Sequence, residues 1–453
     1  MSEVDFLNSK RVLVVGAGNT GKSIIDYLRN NGSSFEIYDE QIEEVDGFQV
    51  SSQLNGKYDF AVISPGWRKT HPVIARLSES GTKLISEIDL AWLIKEKLSP
   101  NQIWVGVTGT NGKTTTIQML ESIISKSDLK GIACGNVGFT VIDAVTNSEK
   151  FDVLAIELSS FQIEWSDLPR FAAAAILNIS DDHIDWHGSF DSYANAKIKL
   201  LTQSEVAILN LSDPEIALRT SALNMRKVYY GLDVPQPGEL GLVEEVLVDR
   251  AFVSSPNSAE VIAELMDIKP AVPHNVSNAL AAAGIARVLG ISHPVITKGL
   301  QDFKLDHHRL ELVKTQNGID WVNDSKATNP HAASAALSSY LSVIWIAGGL
   351  AKGAKMVDLV HRNFSRIKVA ILIGEDRELI ASELKKQAPH VELIYLDKTG
   401  SSEEFMESII IRAKEIATEG DTVLLAPACA SMDQFKSYSH RGELFAAAVA
   451  KLV

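Results

Sequence analysis

The short apolar run Ile103-Trp104-Val105-Gly106-Val107 empties directly into Thr108-Gly109-Thr110-Asn111-Gly112-Lys113-Thr114-Thr115. A buried strand, a glycine turn and a helix start, in that order, make a cradle for phosphate. Backbone N–H groups and the positive end of the helix converge on one anion. Lys113 adds a point charge for the β- and γ-phosphates, and the Thr114 hydroxyl suits Mg²⁺. The strict pattern wants its first glycine five positions before Gly112, where Val107 stands. Gly106 and Gly109 flank that position, so this is a variant nucleotide loop.

A chain of 453 residues should hold about three domains. Its hydrophobic share of 45% and charged share of 22% are those of an ordinary soluble globular protein. The net charge of −14 argues against a nucleic-acid partner. Cys134 and Cys429 stand in apolar or Gly/Ala-rich surroundings, which favours buried thiols over a disulfide or a metal site. Residues 1–10 are polar and do not read as a signal peptide, and no apolar run reaches about 18 residues. A cytoplasmic enzyme with no membrane insertion is expected.

The first domain opens with the strand Arg11-Val12-Leu13-Val14-Val15, the turn Gly16-Ala17-Gly18-Asn19-Thr20-Gly21 and an amphipathic helix over 22–31. A second strand ends at Asp39. Such a turn, with an acid about 20 residues on, suits a nucleotide-like ligand; the bland alternative is a tight turn that only packs helix on strand. Ser64-Pro65-Gly66 is a further strand exit. Leu98-Ser99-Pro100-Asn101 reads as a linker.

In the second domain Glu157 is the only charge in the strand Val153-Leu154-Ala155-Ile156-Glu157-Leu158. Beside a phosphate loop such a carboxylate faces Mg²⁺; otherwise it is a solvated strand end. Asp181-Asp182-His183-Ile184-Asp185-Trp186-His187 crowds acids and imidazoles after the next strand, and an Mg²⁺-nucleotide site fits them better than zinc. Lys197, read alone, is a solvated surface lysine. Residues 205–270 read as scaffold. Asn275 and Asn278 share one helix face and either cap the helix or read a base or ribose. From about residue 304 a third α/β unit follows, with polar exits at Asn323-Asp324-Ser325-Lys326-Ala327-Thr328-Asn329, Gly348-Gly349-Leu350-Ala351-Lys352-Gly353 and Ser431-Met432-Asp433-Gln434-Phe435-Lys436-Ser437-Tyr438. Three α/β units in tandem imply one cleft fed from three sides.

Together these segments resemble the Mur ligase family over nearly the whole chain. The Thr-Gly-Thr-Asn-Gly-Lys-Thr loop is shared with folylpolyglutamate ligases. Three segments are similar to the D-glutamate-adding branch: Asn323 to Asn329, Glu157-Leu158-Ser159-Ser160-Phe161-Gln162, and Ser431 to Lys436. The resemblance implies a Rossmann-like UDP-substrate domain over 1–98, a P-loop-type ATP domain over 99–303 and a Rossmann-like amino-acid-binding domain over 304–453. It implies an ADP-forming acid–D-amino-acid ligase of peptidoglycan synthesis, a monomer, working through an acyl phosphate. Its substrates would be ATP, UDP-N-acetylmuramoyl-L-alanine and D-glutamate.

Site residues follow from the same resemblance. Gly109, Thr110, Asn111, Gly112, Lys113, Thr114 and Thr115 cradle the ATP phosphates, and Asn275, Asn278, Arg309 and Asp324 hold adenine and ribose. Thr114 and Glu157 ligate one Mg²⁺ and His183 a second, with Lys197 as a carbamate supplying an anionic oxygen. Asn136 positions a phosphate or acyl group. Asn19, Thr20, Asp39, Ser64, Pro65, Gly66, Asn136 and Ser159 line the UDP-substrate site, so NAD is not implied. Lys326, Thr328, Lys352, Ser431 and Tyr438 serve D-glutamate. Lys113, Asn136, His183 and Lys197 are the catalytic set. Gln41 stands where the family often has Arg, Pro273 where it has Gly and His307 where it has Pro. Three rivals remain: another amino-acid-adding ligase, a nicotinamide-dependent oxidoreductase built on Gly16 to Gly21, and an ATP-driven binding protein without ligation.

Overall fold

The computed structural model describes residues 10–452, so the polar opening segment, but for Lys10, lies outside the described residues. The chain divides into two compact units. One runs to Phe303 without Val272–His274; the other is Lys304 onward together with Val272–His274.

The first unit carries two sheets. In the smaller, the strands Phe35–Tyr38, Val12–Val15, Phe60–Ile63 and Lys83–Ser86 lie in that order, all parallel. All four residues of Val12–Val15 are buried, as a strand covered on both faces requires. The second strand in sequence flanks the first on one side and the third flanks it on the other. That reversal of order opens a crevice beyond the strand ends. The helix that follows the glycine turn is Asn19–Asn30, starting three residues before the expected position. Gly16 has φ +98°, and a Cβ on Gly21 would stand 1.9 Å from the Gly16 carbonyl oxygen. Only glycines let turn and helix approach this closely.

The larger sheet has nine strands, in the order Glu260–Glu264, Val246–Asp249, Glu239–Val243, Arg226–Tyr230, Ser204–Asn210, Phe171–Ile176, Ile103–Thr108, Val153–Glu157 and Gly131–Gly135. Neighbours pair parallel from Gly131–Gly135 across to Glu239–Val243, and the last two strands extend the sheet antiparallel. Ile103–Thr108 therefore lies between Val153–Glu157 and Phe171–Ile176. Whatever follows those two strands flanks the phosphate loop.

Polar contacts tie the two sheets. Glu87 Oε1 accepts from Ile142 N–H at 2.6 Å, and Asp89 Oδ1 accepts from Asp167 and Leu168 N–H at 2.9 and 2.8 Å. The Ser23 hydroxyl donates to Asp143 Oδ2 at 2.8 Å.

The second unit holds a six-stranded sheet in the order Glu311–Gln316, Ile319–Asn323, Thr422–Leu425, Val343–Gly348, Ile367–Ile373 and Glu392–Tyr395. The first pair is antiparallel and the rest are parallel. Three adjacent parallel strands, ending at Asn323, Leu425 and Gly348, deliver the three polar exits side by side. Cys134 and Cys429 are free and buried, as expected. Among the described residues no helix is long and apolar enough to cross a membrane.

Two outcomes follow for stability. Gly21→Ala forces atoms apart at the first turn and should cost about 1–3 kcal/mol, read as a lower denaturation midpoint. Gly66→Ala, with nothing within 4 Å of the added atom, should leave the midpoint nearly unmoved. Burial lifts the Glu87 carboxyl from 4.5 to about 7, against the opposing pull of the Ile142 N–H. A raised carboxyl means the folded state holds more protons between those values, so this contribution is full at low pH and falls as pH rises from 4.5 to about 7. Glu87→Gln should flatten that part of the stability profile in unfolding midpoints taken at intervals across the range.

Candidate active site

The phosphate turn is braced from the strand beside it. Asn111 N–H donates to Asn178 Oδ1 at 2.8 Å, and Asn178 Nδ2 donates back to Asn111 O at 3.1 Å. Thr110 Oγ1 accepts from Ser180 N–H at 3.0 Å and shares a hydrogen bond with the Tyr193 hydroxyl at 2.9 Å. Gly112 caps the helix Lys113–Ile124 with a left-handed φ of +86°. A Cβ there would stand 2.6 Å from Asn278 Oδ1. Thr114 and Thr115 are buried in the first helical turn.

Two lysines meet on one carbonyl. Lys113 Nζ donates to Gly109 O at 2.8 Å and Thr110 O at 2.9 Å, and Lys197 Nζ donates to the same Gly109 O at 2.8 Å. Lys197 is not the solvated lysine that its sequence neighbourhood suggests. It is 2% exposed, because the helix Phe190–Thr202 turns this face onto the loop. Its ammonium lies 4.7 Å from the centre of the Tyr193 ring, one helical turn back. Burial first, and then the Lys113 charge, push its pKa well below the usual lysine range, with Asp182 and Glu157 opposing. Tyr193 and Asn178 were not singled out from sequence. The available signals were the four-residue spacing from Tyr193 to Lys197, which shares a helix face, and the strand-exit position of Asn178.

Glu157 ends the neighbouring strand and is 2% exposed. Its Oε1 accepts from Asn136 Nδ2 at 2.9 Å, while Oε2 is buried with no hydrogen-bond partner. An orphaned carboxylate oxygen in a dry site is costly unless a cation meets it. The residues present therefore fit a hard divalent ion, with Glu157 and the Thr114 hydroxyl as the protein donors. Among the described residues no three His, Cys, Asp or Glu side chains group as metal ligands. His183 has φ +53° ahead of the short helix Ile184–His187, and its half-exposed ring packs edge-on against Phe161 at 4.7 Å. Ser159 caps the helix Ser160–Trp165 in a reciprocal box with Gln162.

Of the residues expected for the UDP substrate, Asn19, Thr20, Asp39, Ser64, Pro65 and Gly66 stand at or just past strand ends of the smaller sheet, whereas Asn136 and Ser159 follow strands of the larger one. Asn19 and Thr20 open the helix there. Asp39 holds the turn itself: Oδ2 accepts from Ala17 N–H at 2.9 Å, and Oδ1 accepts from Gln41 N–H at 2.9 Å and Ile42 N–H at 3.2 Å. The Ser64 hydroxyl donates to Gly16 O at 3.2 Å. Gly66 O accepts the Trp186 indole N–H at 3.1 Å, so this exit is tied to the helix that begins after His183.

Not every expected group stands on the loop. Asn275 is 2% exposed, and its amide donates to Pro270 O at 3.2 Å, which makes it an anchor of its helix start. Arg309 and Asp324 belong to the second unit. Burial raises the Asp324 carboxyl to about 7, opposed by Leu310 N–H and Arg309. The Arg309 Nε is buried without a partner.

In the second unit Lys326 Nζ donates to the Tyr438 hydroxyl at 2.7 Å and lies 4.3 Å from its ring centre. Thr328 N–H donates to Lys326 O at 2.8 Å. Ala428 N–H donates to Ala327 O, and Leu350 and Ala430 exchange both backbone bonds at 2.9 Å. These ties place the segments carrying Lys326, Thr328, Lys352 and Ser431 against one another. Lys352 has φ +50°, and Ser431 is 3% exposed.

Known proteins match this arrangement along the chain. Residues 107–286 match the Mur ligase middle domain, and 308–429 match the Mur ligase glutamate ligase domain. The chain is 42% identical to a UDP-N-acetylmuramoylalanine--D-glutamate ligase of Thermobifida fusca, covering 98% of this chain and 99% of that one. A ligase of the same name from Streptomyces avermitilis is 43% identical, covering 97% and 98%. Among solved structures, a pseudomurein peptide ligase type C from Methanothermus fervidus shares the fold with TM-score 0.60 at 20% identity, covering 96% and 99%. A MurF ligase from Thermotoga maritima in complex with ADP does so with TM-score 0.58 at 16% identity, covering 100% and 97%. With both domain models matched in order and relatives similar from end to end, this chain belongs to the Mur ligase family.

Proposed function

We propose that this chain is the ligase that joins the amine of D-glutamate to the terminal carboxyl of UDP-N-acetylmuramoyl-L-alanine, with ATP cleaved to ADP and phosphate, in peptidoglycan synthesis. The observation that carries this reading is the convergence of Lys113 and Lys197 on the Gly109 carbonyl, inside a glycine turn followed by a helix N-terminus. End-to-end similarity to D-glutamate ligases supplies the choice of amino acid. The protein works as a cytoplasmic monomer, with residues 1–98 for the UDP substrate, 99–303 for ATP and 304–453 for the amino acid.

A carboxylate is a poor electrophile, so the γ-phosphoryl group is transferred to it first, giving an acyl phosphate. The amine then attacks the carbonyl, and phosphate leaves. Both transition states spread negative charge over phosphoryl oxygens, so fixed donors and cations lower the barriers. The turn N–H groups and Lys113 supply them, with Lys113 swinging from its loop carbonyls onto the phosphates. Mg²⁺, held by Thr114 and Glu157 with a second ion at His183, would neutralise phosphate charge. Asn136 fixes one Glu157 oxygen and leaves the other for metal. Asn278, against Gly112, and Asn275, with Arg309 and Asp324, bind the nucleoside. Lys326, Thr328, Lys352, Ser431 and Tyr438 hold the D-glutamate carboxylates with charge and hydroxyl donors.

Lys197 takes a second role. Burial and the Lys113 charge weaken this lysine's hold on its proton, and the amine, once deprotonated, can add CO₂ and release a proton, becoming an anionic carbamate. This turns a cation crowded by Lys113 into a ligand that a divalent ion favours.

Mass spectrometry of a mixture containing ATP, Mg²⁺, D-glutamate and UDP-N-acetylmuramoyl-L-alanine should show the precursor gaining one glutamyl group; addition of L-glutamate alone would refute the choice of substrate. Lys113→Ala should keep the fold, by circular dichroism, and lose roughly a hundredfold or more in kcat. Lys197→Ala should be largely inactive and partly restored by acetate, while full activity without acetate would remove the carbamate.

A further inference from the structure

Arg441 is a cation in an unfavourable place. It stands in the first turn of the helix Tyr438–Ala450, where the helix dipole disfavours positive charge, and it is 1% exposed. Buried guanidiniums ordinarily meet a carboxylate. Here, among the described residues, the hydrogen bonds go to neutral oxygens: Nε to Ser325 Oγ at 3.0 Å, Nη2 to Ser325 O at 3.0 Å, and both Nη atoms to Cys429 O at 3.4 Å. Burial lowers its pKa to about 10, with Cys429 and Asp433 opposing, so the group stays charged at neutral pH.

Each partner leads to a residue of the proposed amino-acid site. Ser325 directly precedes Lys326, and its hydroxyl donates onward to Tyr438 O at 2.8 Å. Cys429 stands two residues before Ser431. Tyr438 begins the helix that carries Arg441. One planar guanidinium thus joins three separate segments, which a flexible point charge would not do. It also keeps a positive charge, offset in part by Asp433, behind a site for a dicarboxylate.

We propose that Arg441 is a positioning residue for the incoming amino acid: through Ser325 and Cys429 it fixes Lys326, Tyr438 and Ser431 in binding register. This rests on the D-glutamate reading above. The test is steady-state kinetics of the full chain, measuring KM for D-glutamate, KM for the UDP substrate and kcat in wild type, Ser325→Ala and Arg441→Lys. Ser325→Ala removes a single hydroxyl and keeps the answer available if Arg441→Lys does not fold. Both variants should raise KM for D-glutamate roughly tenfold, the scale of one charge-assisted hydrogen bond. KM for the UDP substrate should stay within about twofold, and kcat should fall less than KM rises. An unchanged KM for D-glutamate, or parallel rises in both KM values, overturns the proposal. A wild-type chain that does not saturate with D-glutamate overturns the parent reading instead, and is seen before any variant is made.

Discussion

Positive charge gathered around the Gly109 carbonyl is the constraint on which the active-site geometry depends. Two lysine ammoniums share that oxygen, one reaching in from the helix after the turn and one from the buried face of Phe190–Thr202. Neither position is favourable without an anion. Lys197 responds by losing affinity for its proton, and Lys113 responds by bonding loop carbonyls that a phosphate would release. The strain of like charges in a dry site is what prepares it for a ligand rich in negative charge. Glu157 shows the converse. One oxygen is satisfied by Asn136, and the other is buried and waiting for a cation. Cations from two helices and an orphaned carboxylate oxygen at a strand end thus belong to one sheet and its flanking helices, which suits an Mg²⁺-nucleotide.

The parallel sheets explain how distant residues come to share a site. In each, the functional segments leave the carboxyl ends of neighbouring strands, so order in the sheet replaces nearness in sequence. Residues 108–113, Glu157 and Asn178 are scattered along the chain but stand at or just past the ends of three adjacent strands. The exits after Asn323, Leu425 and Gly348 repeat the device in the second unit. Polar residues at these ends need no fold-breaking accommodation, since the strands behind them are mostly apolar and buried.

Much of this was readable in the residues themselves. Gly112 and Gly16 announced left-handed turns, apolar runs announced buried strands, and the lone Glu157 stood out against its strand. Local patterns could not show where long side chains end. Lys197 looks solvated in sequence because its burial comes from the loop it packs on, 88 residues away. Asn275 reads in sequence as either a cap or a ligand-reading amide, and the tie of its amide to Pro270 O is a detail that the pattern does not show. Asp39 and Ser159 carry backbone duties, in the glycine turn and a helix cap, alongside the substrate roles proposed for them. Arg441 was hidden because helix position alone gives no hint of a buried cation with neutral partners.

The most direct test is a crystal structure of the chain with Mg²⁺ and a non-hydrolysable ATP analogue. The β- and γ-phosphates should lie on the N–H groups of residues 109–114, with Lys113 moved from the loop carbonyls onto them and a metal ion at Glu157 Oε2. A triphosphate bound elsewhere, with the turn empty and Lys113 still on Gly109 O, would contradict the central claim.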